Sequence, residues 1–148
     1  MTLAIDTTLV HMKALSAIDT IERNLETLRY VDDDSRQSLR TTDRIAQQSV
    51  RLRGVLDEFF ERERLELFPR IRRICGPDND EVPRLMHHQR QVLEALDRFV
   101  TVISDDGSQN PEEHFQEFVE RFDARCDVER DFYQTYSTIL YPGGVATD

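Results

Sequence analysis

Three polar residues capable of chemistry stand in otherwise apolar seams of the sequence: Glu63, His88 and Glu129. Apolar residues stand three or four positions before and after each of them, and this spacing places side chains on one face of an α-helix. Carboxylates and imidazoles that point into the core of a helical bundle are the donors from which such bundles build metal sites. The same side chains could also be hydrogen-bonded core residues or reach water at a bundle end, so the pattern leaves both roles open.

Arg125 stands one helical turn before Glu129 in the same seam. A buried carboxylate is unfavourable unless it is paired or bound to a cation, and the planar guanidinium group can bind carboxylates through two parallel hydrogen bonds. The pattern therefore predicts a buried ion pair in which Arg125 bridges Glu63 and Glu129. Such a network would need no cofactor.

Four long amphipathic segments are expected to position these residues, because the few glycines and prolines fall mostly between them. The predicted helices are A (about 6–30), B (about 34–75), C (about 80–104) and D (about 110–140). Helix B could also break near 41–42, and Pro69 should kink it. Its seam is predicted to comprise Leu52, Leu56, Phe59, Glu63, Leu67, Ile71 and Ile74. The fold class predicted is all-α, an antiparallel up-down-up-down four-helix bundle in a single domain over residues 1–148, with its core at about 7–140 and a loose tail at 141–148.

Composition excludes several classes of partner. The chain has 148 residues, with 19 basic and 29 acidic side chains and a formal net charge of −10. An acidic surface repels phosphate backbones and anionic lipids, so neither nucleic acid nor a membrane is expected as a partner. The basic cluster at 70–73 is interpreted as complementing the end of helix B. Two isolated cysteines and the lack of a signal peptide indicate the cytoplasm.

Other reactive side chains are expected to be structural. His11 and His114, near the starts of helices A and D, are predicted to lie on the surface. Cys126 is expected to be a buried thiol without chemistry, although the adjacent Arg125 could lower its pKa and make it a redox group. The sequence has no glycine-rich phosphate loop and no recognisable nucleophile motif, so no enzymatic activity is expected.

Three segments together resemble the hemerythrin-like, or HHE cation-binding, domains. The stretch FFERERLELFP at 59–69 matches the frame of the helix B motif of that family, and RCDVE at 125–129 matches the frame of its helix D motif. The stretch LMHHQR at 85–90 falls on its helix C signature, leucines around an internal histidine. The resemblance covers roughly residues 10 to 140. It implies a four-helix bundle with a di-iron site.

Most of the implied iron ligands are replaced. The histidine position of helix A falls on Ile21, or on Thr20 if the frame shifts by one, and those of helices B and D fall on Phe59 and Arg125. Phenylalanine and isoleucine offer no ligand atom, and the guanidinium group of arginine is always protonated. Of the matching positions, the resemblance leaves only Glu63, His88 and Glu129 as vestigial ligands.

The resemblance therefore implies a degenerate member of the family without a cofactor. Such a protein would be a non-enzymatic binding or regulatory module for a protein partner, a second copy of itself or an unknown small ligand. The alternative is an iron-binding protein that keeps one metal ion on the three remaining ligands and senses or handles oxygen, nitric oxide or iron.

Overall fold

The regular secondary structure is helical throughout the computed structural model, which describes residues 3–31, 36–105 and 110–140. The all-α class is thus confirmed for these residues, whereas the predicted loose tail at 141–148 lies outside them. No described helix is both long enough and apolar enough to cross a membrane. The elements are α1 (Leu3–Arg29), α2 (Arg36–Arg62), a π-helical turn (Glu63–Leu67), α3 (Phe68–Cys75), α4 (Glu81–Ser104) and α5 (Pro111–Leu140).

The second predicted helix is a continuous path of α2, the π turn and α3, without a break near 41–42. In the π turn the N–H of Phe68 donates to the carbonyl of Glu63, five residues back. Pro69 follows in the first turn of α3, where its missing N–H is tolerated. A π turn that begins at Glu63 thus immediately precedes the helix that contains Pro69.

The π turn changes which side chains face the core. Four-residue steps in an α-helix advance by about 400°, so they drift from one face by about 40° each. The wider π turn removes this drift, and Glu63, Leu67 and Ile71 are all buried. The buried face then continues to Cys75, which packs against the core, whereas Ile74 is 41% exposed. The prediction that Ile74 belongs to the seam is wrong.

The helices enclose two apolar clusters. Helix α1 packs on α2, α2 on α4, α4 on α5, and α5 on α1. The larger cluster draws on all four of these helices. The smaller cluster comprises Leu67, Phe68, Ile71, Val82, Leu85, Val128 and Phe132. Along the contributing helices, the buried side chains of Glu63, Gln89 and Arg125 lie between the two clusters, and Glu129 lies one turn after Arg125 on α5. We call these four residues the polar layer.

Candidate functional site

Arg125 is the centre of the polar layer. Its side chain is 2% exposed, and those of Glu63 and Glu129 are 0% and 4% exposed. Arg125 Nη1 donates to Glu129 Oε2 over 2.8 Å, and Nη2 donates to Glu63 Oε1. The structure thus brings together the three residues that the seams predict to pair. The guanidinium fork spans the core from α5 to the start of the π turn.

Gln89 of α4 completes the hydrogen bonding around Glu63. Its Nε2 donates to Glu63 Oε1 over 2.7 Å, so this oxygen accepts from two helices. Arg125 Cζ lies 5.6 Å from the centroid of the Phe60 ring, within the range of a cation–π contact. The second carboxylate oxygen of Glu63 receives no hydrogen bond from a described residue. The layer is therefore well but not fully satisfied.

His11 of α1 contacts the polar layer on the side of the layer that lies nearest to solvent. Its Nε2 lies 3.5 Å from Glu129 Oε1 and 3.9 Å from Cys126 Sγ. The imidazole also makes edge contacts with the rings of Phe59 and Phe122, each 6.3 Å between centroids. The side chain of His11 is 30% exposed, so it lies between the layer and solvent. His11, which the sequence predicts to lie on the surface, is thus only partly exposed and contacts the polar layer.

His88 does not belong to the network. The buried position on α4 is occupied by Gln89, 3% exposed, and His88 is only half-buried. Among the described residues, no hydrogen bond or ion pair joins His88 to Glu63 or Glu129. The prediction that His88 lies in the apolar seam of this helix is therefore wrong by one residue.

The frame on helix α1 also needs correction. Ile21 is fully buried in the larger apolar cluster, and the Thr20 hydroxyl donates to the carbonyl of Ser16 over 2.9 Å. Both lie about 15 Å along the helix from His11, at 1.5 Å per residue. The α1 residue that contacts the polar layer is therefore His11, and Ile21 and Thr20 lie away from the layer. Phe59, by contrast, does border the layer through its contact with His11.

Burial sets the charge of Glu129. Desolvation raises the pKa of its carboxyl group to about 7, in opposition to Arg125, whose positive charge lowers it, and with a smaller raising effect from Glu63. Two carboxylates share one guanidinium group, so the layer holds one more acidic group than cation. A proton retained on Glu129 near neutral pH would remove that imbalance.

The groups next to Glu129 are held in their neutral forms. Burial lowers the pKa of His11, and the charge of Arg125 lowers it further, against a raising effect from Glu63. Burial also raises the pKa of the Cys126 thiol to about 12, with the charge of Glu129 acting in the same direction. A protonated thiol is a poor nucleophile. These shifts favour an inert Cys126 over a redox thiol.

The side chains present do not fit a di-iron centre. The carboxylate oxygens that face each other across the core already accept hydrogen bonds from Arg125, whose permanent charge repels a metal cation. Phe59, at a position where the resemblance implies a ligand, offers only an apolar ring. Among the described residues, no group of three His, Cys, Asp or Glu side chains is arranged to hold a metal ion.

Comparison with known proteins gives no relative for this chain: no family model, no curated protein and no solved structure matches it. What can be inferred about function therefore depends on the residues of the site and on the surfaces around it.

Proposed function

We propose that this protein is a degenerate hemerythrin-like domain that acts as a non-enzymatic binding or regulatory module. In this proposal the Arg125 network takes the place of a di-iron centre. The network holds the core together and the outer faces of the helices serve for binding.

The contacts between helices support the bundle topology of this proposal. Arg29, at the end of α1, forms an ion pair with Glu112 at the start of α5, whereas His11 of α1 lies against Glu129 far along α5. Arg53 of α2 pairs with Asp97 late in α4, while Glu63, just after α2, accepts a hydrogen bond from Gln89 early in α4. Both sets run in opposite directions along their helices, as expected for an antiparallel up-down-up-down bundle.

The observation that carries the proposal is the position of Arg125. Its two terminal nitrogens bind one carboxylate each, and those are the two acidic residues that the family resemblance assigns to metal binding. A guanidinium group can neutralise these carboxylates without a metal ion. Among the described residues, Arg125 thus occupies one oxygen of each carboxylate.

The first experiment is the metal content of purified, untagged protein, measured by inductively coupled plasma mass spectrometry before and after anaerobic loading with ferrous iron. We expect far less than one metal ion per chain in both states, because Arg125 occupies the carboxylates. An exposed double variant on α5, Glu113→Ala/Glu120→Ala, is the control for adventitious surface binding.

Near-stoichiometric iron would contradict the proposal if it is lost in Glu63→Ala/Glu129→Ala and kept in the control variant. That result would favour the alternative function, an iron-binding protein that senses or handles oxygen, nitric oxide or iron. Iron lost equally in both double variants would instead be surface binding and would leave the Arg125 assignment standing.

A further inference from the structure

Helix α2 carries a row of exposed arginines, which we call the basic stripe: Arg36, Arg40, Arg44 and Arg51. At 100° per residue they lie within roughly 80° of the helix circumference, opposite the buried face that includes Ile45. None of the four forms an ion pair with a described residue. Between Arg36 and Arg51 the only acidic residue is Asp43. In a chain with a net charge of −10, this is a concentrated and uncompensated positive surface.

Helix α5 carries the opposite pattern on its outer face, which we call the acidic stripe: Glu113, Glu120, Asp123 and Asp127. These side chains are exposed and also fall within roughly 80° of the helix circumference. Asp127 Oδ1 lies 3.1 Å from Arg130 Nη2, and both side chains of this ion pair are exposed to solvent. The other three form no ion pair with a described residue.

The two stripes point away from each other. Helices α2 and α5 each pack on α1 and α4, so they occupy opposite corners of the helix arrangement. One molecule therefore cannot bring its own basic stripe against its own acidic stripe. A second molecule can, since each copy presents both surfaces.

The spacing of the stripes is complementary when the helices run antiparallel. Read backwards, the arginines follow steps of seven, four and four residues, and the acidic residues follow steps of seven, three and four. This register pairs Arg51 with Glu113, Arg44 with Glu120, Arg40 with Asp123, and Arg36 with Asp127. The residual mismatch is one residue, or about 1.5 Å along the helix axis.

We propose that the basic stripe of one copy binds the acidic stripe of a second copy, with α2 and α5 antiparallel across the interface. The contact joins different surfaces of the two molecules, so association continues beyond a dimer unless it closes into a ring. Nucleic acid is the disfavoured occupant of the basic stripe because the rest of the molecule is acidic. The inference is independent of the Arg125 network.

Sedimentation velocity over a concentration series tests this interface. At about 0.1 M salt, where the Debye length is about 10 Å, the sedimentation coefficient of the wild type should rise with protein concentration. At about 1 M salt, where the Debye length is about 3 Å, it should fall to the value of the monomer.

Charge reversal identifies the two surfaces. Arg40→Glu/Arg44→Glu and Glu120→Arg/Asp123→Arg should each remain monomeric alone, because each variant makes two of the four pairs of the interface repulsive and leaves its altered stripe without net charge. An equimolar mixture of the two should associate, because each variant then supplies the complement of the other. The control, Arg70→Glu/Arg73→Glu, makes the same change in net charge at exposed residues of α3 outside the stripe and should associate like the wild type. If either stripe variant fails to fold by circular dichroism, Arg36→Glu/Arg51→Glu or Glu113→Arg/Asp127→Arg replaces it.

A wild type that stays monomeric at both salt concentrations would overturn the proposal. A mixture that stays monomeric, or a control that loses association as completely as Arg40→Glu/Arg44→Glu, would also overturn it. A fluorescent single-stranded oligonucleotide is titrated in the same buffer. If it binds through Arg40 and Arg44 while the protein does not self-associate, the stripe is a nucleic-acid surface and the proposed occupant is wrong.

Discussion

Arg125 has the largest expected energetic consequence of any residue in the polar layer, because two buried carboxylates depend on its charge. Removing one partner of a buried ion pair leaves an uncompensated charge in a medium of low polarity. Replacing all partners together does not, and it is often neutral or stabilising. The contribution of the network to the free energy of unfolding can therefore be measured only by comparing single and combined substitutions.

We expect Arg125→Met to lower the free energy of unfolding by about 3–5 kcal/mol, since Glu63 and Glu129 then lose their shared cation. The measurement is equilibrium unfolding in urea. Arg121→Met, at an exposed arginine one turn earlier on the same helix, should change stability by less than about 0.5 kcal/mol. The triple variant Glu63→Gln/Arg125→Met/Glu129→Gln should recover most of the loss, and a neutral Arg125→Met would refute the pairing.

The raised pKa of Glu129 leads us to predict that the stability of the protein depends on pH. Between about pH 4.5 and 7 the folded protein keeps a proton on Glu129 that the unfolded chain has released. The contribution of Glu129 to the free energy of unfolding therefore has its full value below pH 4.5 and decreases as the pH rises to about 7. The decrease is at most about 1.4 kcal/mol per pH unit. Glu129→Gln has no such proton to release and should not show this decline.

The measurement is the difference in stability between wild type and Glu129→Gln at several pH values. His11 and His88, whose pKa values are lowered mainly by burial, act in the opposite direction: their contribution grows with pH up to about 6.5. Both histidines are present in the two proteins, so their effects largely cancel in the difference. Glu120→Gln, an exposed substitution on the same helix, should keep the wild-type slope. Parallel curves for wild type and Glu129→Gln would show that Glu129 carries no raised pKa.

The residues of the site differ in how far the sequence predicts them. Glu63, Arg125 and Glu129 stand out because a charge in an apolar seam demands a partner. Gln89 does not, since a neutral amide beside two histidines attracts less attention than His88. His11 was detectable: with Ala14, Ile18, Ile21 and Leu25 it continues the α1 seam in steps of three and four. It was missed because its position near the start of the helix suggested an exposed residue.

At the scale of the element, the π turn decides which side of α3 is buried. A seam read from sequence assumes 100° of rotation for every residue. Between Glu63 and Leu67 the π turn rotates by less than 100° per residue, so the assumption does not hold there. The spacing of apolar residues predicts neither the presence nor the length of this turn. This is why the path of the second helix was predictable and the exposure of Ile74 was not.

Two isoleucines on α3 test this change of face. Ile71 is 1% exposed and Ile74 is 41% exposed, although the seam predicts both to be buried. Ile71→Ala should lower the free energy of unfolding by about 2–5 kcal/mol, because it removes packed atoms and leaves a cavity. Ile74→Ala should lower the free energy of unfolding by less than about 1 kcal/mol, since 41% of Ile74 is already exposed to solvent and its truncation leaves no enclosed cavity. Equal losses in urea unfolding would mean that the π turn does not set the face as described.

At the scale of the whole molecule, the polar layer separates two apolar clusters that hold opposite parts of the same helices together. The larger cluster joins α1, α2, α4 and α5, and the smaller joins the π turn and α3 to α4 and α5. The all-α class follows from long amphipathic segments and few turn residues, which is information local to each helix. The arrangement of charge on the outside is different: the basic and acidic stripes become opposite faces only when the packing of α2 and α5 is known.

The π turn also makes one part of the chain tolerant of a change in length. It holds one residue more than the same span of α-helix would need, because its bonds reach back five residues and not four. Loss of a single residue between 63 and 67 would return that span to ordinary α-helical pitch and keep both flanks facing the core. A deletion in the middle of α2 would rotate everything after it by about 100° and turn the buried face toward water. The long second helix is therefore one place where this fold can lose a residue and keep its interior.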